Sequence, residues 1–490
     1  MNGGQSNLPR RVVVVGGGIS GLAATHRLVE RSQNFPFRLE VKLLEASSRL
    51  GGVIQTIGCD GFLLEGGPDS FISEKPWALD LCQRLGLQSH LIGSNKSHRR
   101  SFIVRRGSLL PVPDGFYLLA PSQLWPFVTT PIFSWWGKLR IAADLVLPRK
   151  KLDMGTGEDE SLADFVRRRL GREALERMAQ PMVGGIYTAD PERLSLRATM
   201  PRFLEMERQH RSLILAMLRQ RQRMAWAEEH PPQGPRYSLF LSLDQGMQLL
   251  VDSLQSKLPA ESVCLRTAVE SLDRNPANGR WVLNLKDGTH LEADVVCLAL
   301  ASYESARLVQ HLDSRLAQSL RLVPYASTAT VNLVYPRVAI PHPLNGFGFV
   351  VPAIEKRRIL ACTFCHVKFD GRAPQGQALL RAFVGGALQP EAFELGDDEM
   401  IRAVRQDLRE LLGITADPVL SRVERHPRAM PQYEVGHLGW LAEVESRIEE
   451  YRGLQLAGNA FTGVGIPDCV HRAEECADRL LAALQDSRPG

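Results

Sequence analysis

Three glycines near the start of the chain have the type and spacing that can hold a phosphate group. Gly16, Gly18 and Gly21 follow a run of four valines, residues 12–15, in a G-x-G-x-x-G pattern. The first glycine permits a tight turn, the second lets the backbone approach a pyrophosphate, and the third lets a helix pack closely on a strand. The helix that begins there offers free N–H groups to negative charge. The residues expected to form this site are Gly16, Gly17, Gly18, Ile19, Ser20 and Gly21.

An acidic residue and an arginine follow at the distances expected for a nucleotide site. A second apolar run, residues 39–44, ends at Glu45, whose carboxylate can accept hydrogen bonds from ribose hydroxyls. Arg49 and the pair Gly51–Gly52 come directly afterwards. This second signature is typical of FAD-binding flavoproteins of the monooxygenase and amine-oxidase type, not of nicotinamide dehydrogenases. The alternative is that Arg49 is a solvated charge and that the glycines form an ordinary turn.

Three further glycine-containing stretches could surround a flat ligand. Residues 66–70 follow a predicted hairpin and have little side-chain bulk, although an ordinary hairpin exit is the alternative. Residues 182–187 predict a glycine-softened apolar turn. Residues 454–468 predict a strand, a glycine loop and a helix N-terminus, and therefore a second set of backbone N–H donors.

The elements that must position these loops predict more than one sheet. The runs at 12–15 and 39–44 are apolar throughout, which is typical of parallel strands buried on both faces. Another apolar run, ending at residues 294–299, predicts that the chain returns to the same sheet. Residues 325–423 predict a separate, largely antiparallel sheet, and residues 199–226 predict one long helix.

Length and composition indicate a globular protein of two or three domains. The chain has 490 residues, of which 44% are hydrophobic and 23% charged. A net charge of +5 does not indicate nucleic-acid binding, and we expect none. Eight cysteines without framework spacing indicate reduced thiols, and we find no secretory signal or uninterrupted membrane-spanning run. We therefore expect a cytoplasmic protein.

One stretch matches the attachment pattern for c-type haem. Residues 362–366 have the sequence C-x-x-C-H, within a predicted strand. Covalent haem attachment takes place outside the cytoplasm, so we interpret the match as coincidental.

An aromatic stretch at residues 116–140 suits a membrane interface. It is rich in Trp and Phe and is followed by basic residues, a combination typical of interfacial segments. Pro121, Pro126 and Pro131 exclude a single membrane-spanning helix. The alternative is that the stretch lines a hydrophobic substrate pocket.

The whole chain resembles the bacterial protoporphyrinogen and coproporphyrinogen oxidases of haem biosynthesis, a branch of the FAD-dependent amine-oxidase-like superfamily. The two signatures at residues 16–21 and 45–52 are shared with all such flavoproteins. Further matches lie at residues 65–71 and 185–187. The motifs most specific to porphyrinogen oxidases are at residues 211–214, 430–433 with 436–437, and 463–469.

The resemblance implies an α/β (α+β) fold in three parts. They are a Rossmann-like FAD-binding domain built from discontinuous segments, a substrate domain with an antiparallel sheet, and a helical domain that sits on membranes in some members. The expected boundaries are 1–90, 231–308 and 431–490 for the FAD-binding segments, 91–230 for the helical, membrane-facing and substrate part, and 309–430 for the antiparallel substrate domain.

The resemblance also implies site residues, position by position. Lys75 and Ile186 fall where related bacterial enzymes face the tetrapyrrole, and Arg99 and Arg100 are the neighbouring cations that we expect to bind its propionates. The FAD contacts implied, in addition to residues 16–21, are Glu45, Ala46, Arg49, Gly52, Gly67, Pro68, Asp69, Ser70, Val269, Gly458, Val464, Gly465 and Ile466. No catalytic base and no metal ligands are assigned.

Two positions depart from the pattern of the family. Ser101 stands where members of the mitochondrial and plastid type have an arginine that pairs with a propionate. His426 stands where close bacterial relatives have a tryptophan near the flavin.

The activity implied is the oxygen-dependent oxidation of protoporphyrinogen IX to protoporphyrin IX, with hydride transfer to FAD and release of hydrogen peroxide. Conversion of coproporphyrinogen III to coproporphyrin III by the same chemistry is the alternative, because the sequence does not show which arginines face the pocket. An FAD amine oxidase and a tetrapyrrole carrier are more distant alternatives. The expected partners are the tetrapyrrole and dioxygen, with peripheral contact to the inner face of the plasma membrane; the oligomeric state is left open.

Overall fold

The computed structural model describes residues 9–33, 35–117, 120–150, 159–229 and 238–485. The strands are β1 Arg10–Val15, β2 Leu39–Leu44, β3 Thr56–Cys59, β4 Phe62–Glu65, β5 Phe71–Ile72, β6 Leu91–Gly93, β7 Ser101–Arg105, β8 Ser108–Pro111, β9 Phe116–Tyr117, β10 Ala120–Pro121, β11 Phe240–Leu243, β12 Val263–Cys264, β13 Val269–Arg274, β14 Trp281–Leu285, β15 His290–Ala293, β16 Val295–Ala299, β17 Tyr325–Pro336, β18 Gly348–Val350, β19 Ile359–Phe364, β20 Gln377–Gly385, β21 Leu420–Pro431 and β22 Leu454–Ala457.

The α-helices are α1 Ile19–Ser32, α2 Trp77–Arg84, α3 Leu124–Thr129, α4 Trp135–Ala142, α5 Leu162–Arg169, α6 Arg172–Ala174, α7 Gln180–Tyr187, α8 Leu196–Thr199, α9 Pro201–His210, α10 Leu213–Glu229, α11 Gln248–Ser256, α12 Ser302–Leu308, α13 Ser314–Arg321, α14 Cys365–Lys368, α15 Pro390–Phe393, α16 Asp397–Leu412, α17 His437–Glu449 and α18 Ile466–Gln485.

A five-stranded parallel sheet combines strands from distant parts of the chain in the order β12-β2-β1-β16-β22. Successive side chains of β1 point to opposite faces. Val12 and Val14 therefore pack under α1, α2, α11 and α18, whereas Val13 and Val15 pack with α12, α13 and α17. Burial on both faces explains why residues 12–15 of β1 are all apolar. The parallel pairing of β1 with β16 confirms the predicted return of the chain to this sheet.

A seven-stranded sheet has the order β21-β17-β20-β19-β18-β7-β8. All its pairs are antiparallel except β18–β7. The predicted antiparallel sheet after residue 325 is therefore confirmed, with β7 and β8 added from residues 101–111. Helix α16 covers its buried face through Met400, Val404 and Leu408.

Helices α3 to α10 enclose a third core, around Phe133, Phe165 and Phe203. The predicted single helix over 199–226 is wrong, because Arg211 adopts φ 64° and ends α9. The carboxylate of Asp144 then accepts hydrogen bonds from the Ser212 hydroxyl (2.6 Å) and the Ile214 N–H (3.1 Å), which holds the start of α10.

The predicted glycine-rich turn at residues 182–187 is also wrong, since these residues belong to α7. Val183 is buried in the helical core, and Met182 and Tyr187 pack against it. Tertiary burial therefore outweighs the low helix propensity of Gly184 and Gly185.

Three separate regions of the chain, at residues 10–44, 263–299 and 454–457, supply the strands of the five-stranded sheet, and the domain boundaries stay predictions. The boundary near residue 230 lies outside the described part of the chain. Within that part, no helix combines the length and the apolar character needed to cross a bilayer.

Candidate functional site

The loop between β1 and α1 is shaped by two glycines that have no room for a side chain. Gly16 adopts φ +104°, and a Cβ there would lie 2.4 Å from the carbonyl oxygen of Ala299. A Cβ on Gly21 would lie 1.7 Å from the carbonyl oxygen of Gly16. The helix can therefore start directly against the strand only because both residues lack side chains.

Gly18 differs from its neighbours because a Cβ there would meet nothing within 4 Å. It is the N-cap of α1, and no side chain caps that helix. The first N–H groups of a helix need acceptors. An open, uncapped helix N-terminus fits the pyrophosphate of a dinucleotide.

The carboxylate of Glu45 lies beside this loop. Its Oε2 accepts a hydrogen bond from the Gly17 N–H (2.6 Å), and its Oε1 accepts one from the Ser47 N–H (2.7 Å). The Thr267 N–H donates to the Glu45 carbonyl (2.8 Å), which brings the start of β13 and Val269 close. A carboxylate at this position fits the ribose hydroxyls of the same ligand.

Arg49 is held by backbone carbonyls rather than by a carboxylate. Its Nη1 donates to the carbonyls of Leu50 (3.1 Å) and Ile54 (3.0 Å), and its Nη2 donates to that of Gly52. The Gly51 N–H in turn donates to the Gly17 carbonyl (2.8 Å). Arg49 therefore fixes the loop that packs against the phosphate site, while the residue as a whole is exposed to solvent.

The loop at residues 66–70 is fastened to the seven-stranded sheet. The Thr330 hydroxyl and His426 Nε2 both donate to the Gly66 carbonyl, each at 2.9 Å. Arg381 Nη2 donates to the carbonyl of Gly67. A Cβ on Gly67 would lie 1.8 Å from the Val53 carbonyl oxygen, so this loop also touches the segment that follows Gly52.

Asp69 is a partly buried anion within this loop. Lys368 Nζ lies 3.0 and 2.9 Å from its two carboxylate oxygens, and the Ser70 hydroxyl donates to Oδ1 at 2.6 Å. Burial by itself would raise the pKa of Asp69, but Lys368 and Arg381 outweigh it and hold that pKa below its usual range. The loop therefore keeps one conformation through its ion pair.

The glycine loop after β22 lies beside the phosphate loop. The Cys469 thiol donates to the Gly463 carbonyl at 3.9 Å, and α18 packs against α1 in the same apolar core. Gly463 adopts φ +154°, and a Cβ there would lie 2.4 Å from the Asp468 carboxyl carbon. A Cβ on Gly458 would lie 2.8 Å from the Leu300 carbonyl oxygen. The predicted FAD-binding segments are thus neighbours, although the individual contacts stay predictions.

The predicted substrate residues fall into two groups. Lys75 Nζ pairs with Asp468 at 2.6 Å, at the start of α18. Ile186 lies on α7 and is 47% exposed. Arg99 and Arg100 form a second, exposed pair before β7. Contact of any of these residues with the substrate stays a prediction.

Several residues that fix the site were not apparent from the sequence. Thr330, Lys368 and Arg381 support the loop at 66–70, yet no motif contains them. They reach it only because β17, β20 and α14 lie against that loop, and strand pairing is not readable from the local pattern.

The C-x-x-C-H stretch has no features of a reactive site. Cys362 and Cys365 are buried free thiols, and burial raises the pKa of Cys365 to about 12. In the described ranges, no group of His, Cys, Asp and Glu side chains could hold a metal ion.

Comparison with known proteins agrees with this geometry. The family model described as flavin containing amine oxidoreductase matches residues 19–481. The chain is 36% identical to coproporphyrinogen III oxidase from Bacillus subtilis (strain 168), over 97% of this chain and 98% of the relative. It is 31% identical to the chloroplastic protoporphyrinogen oxidase of Oryza sativa subsp. japonica, over 96% and 87%.

A solved structure is similar over the same length. It comes from Exiguobacterium sp. 255-15 and is named "Putative protoporphyrinogen oxidase"; its TM-score is 0.83 at 33% identity, over 99% of this chain and 100% of that one. The open N-terminus of α1, the carboxylate of Glu45 and the convergent glycine loops all fit FAD. The chain belongs to the family of flavin-containing amine oxidoreductases, and it is an FAD-dependent oxidoreductase.

Proposed function

We propose that the protein oxidises porphyrinogens in haem biosynthesis and that coproporphyrinogen III is its substrate. The observation that carries the choice is the higher identity to a relative named coproporphyrinogen III oxidase, 36%, than to one named protoporphyrinogen oxidase, 31%. Protoporphyrinogen IX is the second candidate, favoured by the name of the structure from Exiguobacterium sp. 255-15.

In this proposal the chain binds and orients a large flat substrate. FAD, when bound, supplies an acceptor for a hydride from a meso carbon and is reoxidised by dioxygen, which leaves as hydrogen peroxide. The fixed loop at 66–70 and the apolar side chains of α7 hold the macrocycle against the cofactor and exclude water. Pyrrole protons pass to solvent, and no side chain is assigned as a general base.

In this proposal, propionates of a substrate with several carboxylates pair with Arg99 and Arg100, whose side chains are exposed. Lys75 is already paired with Asp468 at 2.6 Å, so its charge is compensated in this structure. Coproporphyrinogen III carries more propionates than protoporphyrinogen IX, and the exposed arginines would add affinity for it.

The test is anaerobic reduction of the bound flavin. Each porphyrinogen is added separately to the oxidised holoenzyme while flavin absorbance is followed, and oxygen is then readmitted while porphyrin fluorescence is recorded. We expect faster bleaching with coproporphyrinogen III. Faster bleaching with protoporphyrinogen IX would reverse the order of the candidates, and bleaching by amines alone would overturn the proposal.

We also propose peripheral contact with a membrane, through an aromatic patch formed by Leu124, Trp125, Trp135, Trp136 and Leu139 on α3 and α4. Their exposed fractions range from 52% for Leu124 to 82% for Trp136. Exposed apolar clusters of this kind mark interaction surfaces. Arg149 and Lys150 are exposed nearby in sequence, which supports an anionic lipid surface. The free state of all eight cysteines supports a reducing compartment and thus the cytoplasmic face.

A further inference from the structure

A layer of buried and partly buried charges lies behind the loop at residues 66–70. It contains three cations, Lys368, Arg372 and Arg381, and two carboxylates, Glu65 and Asp69. The cations come from α14, the segment before β20, and β20 itself. Three cations against two carboxylates leave one positive charge in excess in this layer.

Two of the three cations have partners within the layer. Lys368 Nζ lies 2.9 Å from Asp69 Oδ2. Arg372 Nη2 lies 4.0 Å from Glu65 Oε1, and it also donates to the Ser242 hydroxyl oxygen at 2.7 Å. Glu65 is held in turn by the Thr56 hydroxyl (2.7 Å) and the Met247 N–H (2.9 Å).

Arg381 has no carboxylate within ion-pair distance among the residues that the structure describes. Its side chain is almost completely buried, with a residue exposure of 3%. Its guanidinium donates to the Gly67 carbonyl and lies 4.9 Å from the centre of the Phe383 ring. Its Nε is buried and has no hydrogen-bond acceptor.

Asn332 stands opposite Arg381 in the register of β17 and β20. Its Nδ2 donates to the Glu65 carbonyl at 3.3 Å, but its Oδ1 is buried and accepts no hydrogen bond. Burying an unpaired charge and unpaired polar atoms is costly. Unsatisfied buried polar groups are rare in native proteins, and the unpaired atoms of Arg381 and Asn332 therefore indicate a functional role for this pair.

The other groups that face this layer do not cancel the excess charge. Burial lowers the pKa of His426, so its ring is neutral at pH 7 and serves as a donor to Gly66. Glu424 is paired with Arg422. Arg49 adds a further cation, which backbone carbonyls hold.

We propose that Arg381 is a positioning residue whose unpaired charge, acting through the Gly67 backbone, favours reduction of the bound flavin. The inference rests on the proposed function only in taking the loop at 66–70 to border the flavin ring. A flavin that accepts a hydride gains one negative charge, and a nearby buried cation stabilises that charge more than water would. Removal of the charge should lower the midpoint potential.

The experiment measures the midpoint potential of the bound flavin by anaerobic titration against a reference dye, without porphyrinogen. For Arg381→Met we expect the ratio of reduced to oxidised flavin at a fixed dye potential to fall about tenfold, which is about 30 mV for a two-electron couple. The Arg381→Lys variant keeps the positive charge, so its midpoint potential should stay close to that of the original protein.

Asn332→Asp tests the same idea without loss of the arginine. The new carboxylate would stand opposite Arg381 and neutralise it, so the potential should fall as in Arg381→Met. Arg425→Met is the matched control, because Arg425 is on the same sheet, half-exposed and paired with Asp397 at 2.7 Å. This control should leave the potential unchanged.

An unchanged potential in Arg381→Met or in Asn332→Asp would overturn the inference. Loss of FAD in both variants would also count against it, because the pair would then serve binding. A different result would contradict the proposed function, namely that porphyrinogens do not bleach the flavin of the unaltered protein. The dye titration contains no porphyrinogen, so it would still measure the effect of Arg381 on the midpoint potential.

Discussion

At the scale of single residues, two glycines of one motif serve different purposes. A Cβ on Gly21 would lie 1.7 Å from the Gly16 carbonyl oxygen, whereas a Cβ on Gly18 would meet no protein atom within 4 Å. Gly18 also has φ −71° and ψ −178°, which any residue can adopt. Gly21 is therefore needed by the fold, whereas we predict that Gly18 is needed by the ligand.

This difference predicts two distinct phenotypes. Gly21→Ala should destabilise the protein by about 3 kcal/mol, because α1 must shift away from β1. Gly18→Ala should change stability by no more than about 1 kcal/mol but weaken FAD binding at least ~10-fold, because the methyl group fills the space next to the helix N-terminus.

Thermal unfolding of the apoprotein and titration with FAD, followed by flavin fluorescence, separate the two effects. Gly288→Ala is a control for glycine replacement, since a Cβ there also meets nothing and the residue lies in a hairpin far from the site in sequence; its φ of +84° predicts a small loss of stability only. Unaltered FAD affinity in Gly18→Ala would contradict the assignment of this position.

At the scale of elements, the connection between β21 and α17 is held by a neutral histidine. His437 stacks on Tyr433 with ring centres 3.9 Å apart, and its Nε2 donates to the Phe461 carbonyl at 3.2 Å. Burial lowers the pKa of His437 to about 4. Because burial opposes the charged form, the folded protein keeps this ring neutral down to about pH 4.

Stability should accordingly fall on acidification. The unfolded chain carries this imidazole at pKa 6.5, so below that pH the unfolded state binds a proton that the folded state does not bind until about pH 4. Each pH unit in this window costs about 1.4 kcal/mol, and we expect a loss of about 2 kcal/mol from this residue at about pH 5.

Urea unfolding of the original protein and of His437→Phe, at about pH 7.5 and about pH 5, measures this contribution as a double difference. The phenylalanine keeps the ring stack but does not titrate, so its stability should depend less on pH. Equal losses in both proteins would show that other groups cause the acid sensitivity.

The same elements explain how far the sequence predicts the site. Residues 16–21 and 45–52 were recognisable because a strand, a turn and a helix follow one another locally. Thr330, Lys368 and Arg381 support residues 66–70 through contacts between segments that are hundreds of residues apart in sequence. The hydrogen bond from Thr330 to Gly66 is an example. The break at Arg211 depends on Asp144, and no local pattern shows that contact.

At the scale of the whole molecule, the aromatic patch is an exposed apolar surface of the helical part. Lys138 Nζ donates to the Val128 carbonyl and so ties α4 to α3. Phe127 and Phe133 are buried beneath these helices, whereas Trp125 and Trp136 are 77% and 82% exposed. The patch is therefore a fixed surface on a packed base.

We expect the protein to bind vesicles that contain anionic phospholipid. Replacement of Trp125, Trp135 and Trp136 by serine should reduce the bound fraction at least ~5-fold in a sedimentation assay, because indole side chains insert at the interface. The control replaces Leu322, Val338 and Val419, which are exposed but scattered over other elements, by serine. Equal binding by both variants would rule out the patch as the contact surface.

The arrangement of the parallel sheet has a consequence for biosynthesis. Strand β1 is made first, but its sheet receives β12 only after the ribosome has passed residue 264, β16 only after residue 299, and β22 only after residue 457. The order of contacts is thus highly non-local, which slows folding. A nascent or truncated chain that stops before Leu454 lacks β22 and α18. Since we predict that the glycine loop between these two elements contacts the cofactor, we expect newly made chains to become redox-active only when almost the whole polypeptide is present.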